Sequence, residues 1–380
     1  MTGFQSKASE MTAFLKRLVE AESPSTDKIA VDRVGAIIAD EARRLGADVQ
    51  TVPIKEAGNH VIARFTPSGT KSKVEAQGKG SILLLCHMDT VFPLSTLEKM
   101  PFREADGKLF GPGVLDMKSG IVISLAALEE LQQSGDLNRP ITLLCTSDEE
   151  TGSLTSEPLI KELAQKSELV LVMESALLDG SLKTWRKGVG EFWVRVTGRA
   201  AHAGGAHEEG RNAIEEMSHQ VLIIQKLTNY ERGTTLNVGV IHGGTVSNVV
   251  PEEAVIQVDA RVLQPGEWER IEAEMQALKP ILDGTALQIT GSLNRPPMPF
   301  DATMKSTFEK AKSIAKDVGI ELNAGGTGGG SDANFVAPLG IPVLDGLGAI
   351  GEGLHSEREF IFADSLQERA KLLAALLRNW

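Results

Sequence analysis

Apolar side chains recur along this chain with two periods, and the points where one period gives way to the other mark its elements. Met11, Phe14, Leu15, Leu18 and Val19 fall at helical spacing. Ser25-Thr26-Asp27 heads a second helical pattern through Val34, Ile37, Ile38 and Leu45, which stops at Gly46. Short apolar runs predict strands over 48–53, 59–65, 81–86, 141–146 and 169–173. Helical patterns over 118–133 and 159–166 separate the last three. Residues 66–80, rich in Ser, Thr, Lys and Gly, read as a solvated loop. Strands alternating with helices predict an α/β fold, a mainly parallel sheet sandwiched by helices.

The pattern changes after Trp185. Strands are expected over 191–197, 234–242, 252–263 and 286–293, with helices over 212–228 and 267–278. That β-α-β-β-α-β order is the ferredoxin-like split unit of roughly 100 residues. From Asp301 the first pattern resumes, with a helix to Val318, a strand over 341–344 and a last helix over 365–380. The expected organisation is one domain in two parts, 1–186 and 298–380, interrupted by an inserted α+β domain at 187–297. A chain of 380 residues is long enough for two cores.

Composition narrows the function classes. A hydrophobic share of 42% with 24% charged residues is that of a globular protein. The formal net charge of −12 argues against nucleic-acid and anionic-membrane surfaces. It leaves an acidic substrate open, because metal and arginine can override the mean field locally. Cys86 and Cys145 lie in apolar strand-like runs and read as buried reduced thiols. The start of the chain lacks a signal-peptide core, and no apolar run approaches ~20 residues. A cytoplasmic location without membrane contact is expected.

The chemistry gathers at strand ends. The run over 81–86 ends on His87-Met88-Asp89-Thr90. Residues i and i+2 of an extended chain point the same way, so Asp89 can reach the His87 imidazole. Alone, such a histidine is an ordinary hydrogen-bonded residue; its company changes the reading. Two further strands end on Glu149-Glu150 and on Glu174, and ligands of parallel sheets collect beyond such ends. Asp116 follows a tight Gly111-Pro112-Gly113 turn, and His355 lies in a late Gly-rich loop. Two imidazoles with several carboxylates suit zinc, or less selectively cobalt or manganese. Two metals ~3.5–4 Å apart need a bridging carboxylate, a role that suits Asp116. Neighbouring Glu149 and Glu150 point apart, so one can bind metal while the other takes a proton from water.

His87-Met88-Asp89-Thr90, Gly113-Val114-Leu115-Asp116-Met117-Lys118, Asp148-Glu149-Glu150-Thr151-Gly152 and Glu174 stand in the order of a known family. The chain resembles the two-zinc metallohydrolases that include carboxypeptidase G, acetylornithine deacetylase, succinyl-diaminopimelate desuccinylase and aminoacylase, and is most similar to the carboxypeptidase G type. The resemblance implies two Zn²⁺ per subunit, bridged by Asp116, with Glu150 joining His87 on one ion and His355 joining Glu174 on the other. It further implies Glu149 as general base, Asp89 as the group orienting His87, and a cis bond from Asp116 to Met117. Gly198-Arg199-Ala200-Ala201-His202-Ala203-Gly204 resembles the family's lid motif, which implies that His202 polarises the scissile carbonyl across a homodimer interface formed by the inserted domain. By the same resemblance Asn248 and Arg295 contact substrate, Arg295 through its terminal carboxylate, and the loop with Gly329 and Ser331 lines the pocket. The implied activity is hydrolysis of an amide next to a free carboxylate, releasing a C-terminal amino acid. An N-acyl amino acid deacylase and a non-catalytic metal-binding dimer are the competing readings.

Overall fold

The computed structural model describes residues 3–67 and 80–380, so the loop expected over 66–80 lies largely outside the described residues. The chain divides into two compact units. Unit 1 runs to Trp185 and takes up Phe300–Gly326 and Ser331–Trp380; unit 2 comprises Arg186–Pro299 and Thr327–Gly330.

Unit 1 opens with α1 (Ala8–Glu20), which buries Met11, Leu15, Leu18 and Val19. α2 (Lys28–Arg44) starts on Asp27, whose side chain accepts the Ala30 N–H, and ends before Gly46 at φ 82°. β1 (Asp48–Val52), β2 (His60–Phe65) and β3 (Ser81–His87) follow, then two short strands, β4 (Arg103–Ala105) and β5 (Lys108–Phe110). α3 (Ser119–Gln133), β6 (Ile141–Thr146), α4 (Glu157–Gln165), β7 (Ser167–Val172) and β8 (Leu182–Arg186) complete the first part.

In unit 2, β9 (Gly188–Thr197), β10 (Ala201–His202), α5 (Ala213–Gln225), β11 (Thr235–Gly243), β12 (Val249–Val250), β13 (Glu253–Val262), α6 (Glu267–Gln276) and β14 (Ala286–Arg295) follow in order. The chain returns to unit 1 with α7 (Ala302–Asp317), β15 (Ala324–Thr327), β16 (Val343–Asp345), β17 (Gly351–Glu352), β18 (Phe360–Phe362) and α8 (Ala363–Asn379).

The main sheet has eight strands in the order β1-β2-β6-β3-β7-β16-β8-β15. Its centre, β6-β3-β7-β16, is parallel, and β2 and β8 join antiparallel on either side. β3 shows why: Ile82, Leu83, Leu84 and Leu85 are all buried, as a strand covered on both faces requires. Each such side chain contributes about 1.5–3 kcal/mol of transfer free energy. β6 occupies the predicted span without change. A second, four-stranded sheet, β17-β18-β5-β4, was not anticipated.

Unit 2 carries the sheet β11-β13-β9-β14, antiparallel throughout. Numbered within the unit this is 2-3-1-4, the ferredoxin-like order. β9 alternates buried Phe192, Val194 and Val196 with exposed neighbours, and α5 and α6 cover the buried face with Met217, Ile224, Trp268 and Ile271. Phe192 stacks on Trp268 with ring centroids 4.9 Å apart. Among the described residues no helix is long and apolar enough to cross a membrane.

Candidate active site

Strand register assembles the metal-ligand candidates in unit 1. β3 pairs with β7 so that Leu85 faces Val172. Two residues on, Glu174 comes beside His87, its Oε1 3.4 Å from His87 Nε2. On the other flank Thr146 faces His87, and the 3-10 turn Glu149–Thr151 follows β6. Asp116 lies beyond Gly113, which has φ 71° and where an added Cβ would meet Thr90 Cγ2 at 2.6 Å. The Asp116–Met117 bond is cis, as the resemblance implied.

Asp116 stands between the two imidazoles. Its Oδ1 is 3.0 Å from His87 Nε2 and its Oδ2 is 3.1 Å from His355 Nε2. His355, held at φ 57°, lies 3.4 Å from Glu150 Oε2. In side-chain contacts the two glutamates stand the other way round from the pairing the resemblance implied. Glu174 accompanies His87 and Glu150 accompanies His355, because the β3–β7 register fixes Glu174 next to His87.

Asp89 organises the turn behind the ligands. The carboxylate is fully buried, and its Oδ2 accepts from Ser25 Oγ (2.7 Å) and the Glu150 N–H (3.2 Å). Oδ1 accepts the Glu149 N–H (3.3 Å) and lies 3.5 Å from His87 Nδ1. The Asp89 backbone carbonyl is nearer still, 3.1 Å from the same nitrogen. With only oxygens around it, Nδ1 carries a proton, so a cation that displaced the proton on Nε2 would meet that nitrogen's lone pair.

The turn is tied from behind as well. His60 bridges Ser147 Oγ (3.0 Å) and Thr155 Oγ1 (3.2 Å), while Asp332 accepts from Ser153 Oγ (2.5 Å). These contacts hold the turn and give His60 a structural part in it.

The electrostatics call for positive charge. Burial opposes charging His87, yet Asp116, Asp89 and Glu174 override it and raise its pKa well above the ordinary value. Hydrogen bonds to Asp116 and Glu150 push His355 up to about 10 despite partial burial. Burial disfavours the Asp116 carboxylate, but His355 and His87 hold it far below the usual range. Burial, relieved in part by His355, raises Glu150. The two imidazoles thus take up protons to offset the carboxylates between them. Oε1 of Glu150 is buried with no hydrogen-bond partner among the described residues. Ligand atoms of His87, Asp116 and Glu150 lie within 4.8 Å of one another. Oxygen and imidazole donors around an orphaned carboxylate oxygen fit a divalent metal.

The remaining candidates divide between the units. In unit 2 the lid-like motif meets the segment that carries Asn248: Ala201 pairs with Val250, His202 with Val249, and the Ala203 N–H donates to Asn248 O at 3.0 Å. Exposed His202 accepts the Gly204 and Gly205 N–H groups at Nδ1 (3.1 and 3.0 Å), so the neutral ring carries its proton on Nε2. Asn248 is exposed. Arg295, buried at the end of β14, donates from Nη1 to Asn294 Oδ1 at 2.7 Å. Exposed Gly329 offers its carbonyl to Arg186 Nη1 at 3.2 Å.

Ser331 lies in unit 1. It is fully buried, donates to Asp345 Oδ2 at 2.6 Å and accepts the Ala333 N–H. Sequence reasoning passed over Glu359. Its Oε1 accepts the N–H groups of Leu115 (2.7 Å) and Asp116 (3.0 Å). The one available signal was a carboxylate directly before the apolar run Phe360-Ile361-Phe362.

With this geometry in view, comparison with known proteins is direct. The model of peptidase family M20/M25/M40 matches residues 83–379. Carboxypeptidase G2 of Pseudomonas sp. (strain RS-16) is 30% identical over 99% of this chain and 91% of its own length. Succinyl-diaminopimelate desuccinylase of Hydrogenovibrio crunogenus is 27% identical over 98% and 99% respectively. Among solved structures, aminopeptidase PepT of Bacillus cereus superposes with a TM-score of 0.81 at 22% identity, over 98% of both chains. The chain belongs to peptidase family M20/M25/M40 and is one of its metal-dependent hydrolases.

Proposed function

We propose that this protein is a homodimeric two-zinc carboxypeptidase that cleaves an amide next to a free carboxylate and releases a C-terminal amino acid, glutamate foremost, from peptidyl or N-acyl substrates. The observation that carries the reading is the Asp116 carboxylate, one oxygen toward each imidazole, with Glu174 and Glu150 on opposite sides. His87, Asp116 and Glu174 would hold one ion, and His355, Asp116 and Glu150 the other. Bound there, zinc makes a water molecule acidic near neutral pH and polarises an amide carbonyl.

The chain's own residues supply the rest. Glu149, adjacent to a ligand and itself outside the ligand set, takes the proton of the attacking water and returns it to the leaving amine. As the resemblance implied, the exposed Nε2–H of His202 acts across the dimer interface, donating to the carbonyl oxygen in the neighbouring subunit's site as negative charge develops on it. Arg295 presents a guanidinium to the substrate's terminal carboxylate, and Asn248 adds a polar contact. The similarity to carboxypeptidase G2 favours a C-terminal amino acid as the released product.

A second reading, an N-acyl amino acid deacylase of the same chemistry, draws on the similarity to succinyl-diaminopimelate desuccinylase. Parallel assays of an N-acyl or peptidyl glutamate and of N-acetyl and N-succinyl amino acids separate the two. Each is run with chelator and after restoration with zinc or cobalt. Preferential turnover of the acetyl or succinyl compounds would replace the first reading with the second. Full activity in chelator would remove both.

A further inference from the structure

Glu359 is a carboxylate with no solvent exposure, on the hairpin that also supplies His355. β17 and β18 pair antiparallel through Glu352 and Phe360, and both residues lie on the connection between them. β18 also pairs with β5, Phe360 facing Phe110, which fixes Glu359 at the strand entrance. Its Oε1 accepts two backbone N–H groups, of Leu115 and of Asp116 itself. Its Oε2 is buried with no hydrogen-bond partner among the described residues.

A buried carboxylate with one unpaired oxygen is a costly way to fill space, and an apolar side chain would do so better. The useful atom is therefore the oxygen that collects both N–H groups. One hairpin grips Asp116 twice, through His355 at its carboxylate and Glu359 at its backbone. We propose that Glu359 is a positioning residue: by accepting the Leu115 and Asp116 N–H groups it fixes the Asp116 carboxylate between His87 and His355, and so sets the affinity for metal. This rests on the two-metal reading above.

The test compares two conservative variants, Glu359→Gln and Glu359→Asp. Glutamine keeps the length and an accepting oxygen, and its NH₂ fits where no partner is lost. Aspartate keeps the carboxyl group but falls ~1.5 Å short of the two N–H groups. Metal-free proteins are titrated with Co²⁺, followed by its absorption spectrum, alongside thermal unfolding. Glu359→Asp is expected to bind Co²⁺ about 10–100-fold more weakly, and Glu359→Gln within about threefold of the unaltered protein. Normal affinity in Glu359→Asp, or equal weakening in both variants, would overturn the proposal. If only Glu359→Gln folds, its own affinity decides. The Co²⁺ stoichiometry of the unaltered protein tests the two-metal reading separately.

Discussion

Replacing Asp89 by asparagine removes one charge and leaves the shape intact, and the surrounding donors make the outcome calculable. Oδ2 faces Ser25 Oγ and the Glu150 N–H; Oδ1 faces the Glu149 N–H and the His87 Nδ1–H. If the new NH₂ takes the Oδ1 place, it opposes the donors of Glu149 and His87. If it takes the Oδ2 place, Ser25 can rotate to accept but the Glu150 N–H cannot. Either orientation loses at least one bond to a buried carboxylate, which is worth about 1.5–3 kcal/mol. That corresponds to roughly 10–100-fold, the range seen when groups behind metal ligands are altered. Chelator competition gives the metal affinity, and kcat at saturating metal gives the effect on the Glu149 turn. Ser25→Ala, which deletes one neutral donor, should cost only about 1 kcal/mol. Asp89→Asn within threefold of the unaltered enzyme in both measurements would refute the reasoning.

Three further outcomes are expected. Glu149→Gln should lower kcat by about 10²–10⁴-fold while metal content, measured by elemental analysis, stays unchanged. His202→Ala should reduce kcat by roughly 10²–10³-fold without changing Co²⁺ affinity; equal loss of metal would reassign the residue. In unit 2, hydrogen bonds from Arg270, opposed by burial and aided by Thr234 and Arg232, lower the Glu267 pKa to about 2. A depressed carboxyl stabilises the fold above its unfolded pKa, and that contribution fades as pH falls from about 4.5 toward 2. Glu267→Gln should therefore cost about 1–2 kcal/mol at pH 7, and the difference should shrink over that interval in denaturant titrations.

The sequence was most legible where burial and periodicity act together. β6 and α6 begin where the pattern says because polar neighbours bound their apolar faces. The gathering of these side chains was readable too, since His87, Glu149-Glu150 and Glu174 each terminate an apolar run. Which carboxylate stands by which imidazole was not readable, because it depends on Leu85 facing Val172, a register with no local signature. β4, β5, β17 and β18 span two or three residues each, too few for alternation to appear. Glu359 escaped notice with them, since only their pairing takes it into the interior. The inward turn of Ser331 was not readable either, since it depends on Asp345, fourteen residues on, accepting its hydroxyl.

The ends of unit 2 carry a practical consequence. Val189 and Arg295 are cross-strand partners, and Arg186 and Met298 exchange backbone hydrogen bonds of 2.9 and 3.0 Å. An excursion of over a hundred residues thus departs and returns through adjacent doorways, a junction at which transplantation is well tolerated. Exchanging everything between those two rungs with a relative's counterpart would make chimaeras in which β9 to β14 and the cluster around Asp116 are inherited from different parents.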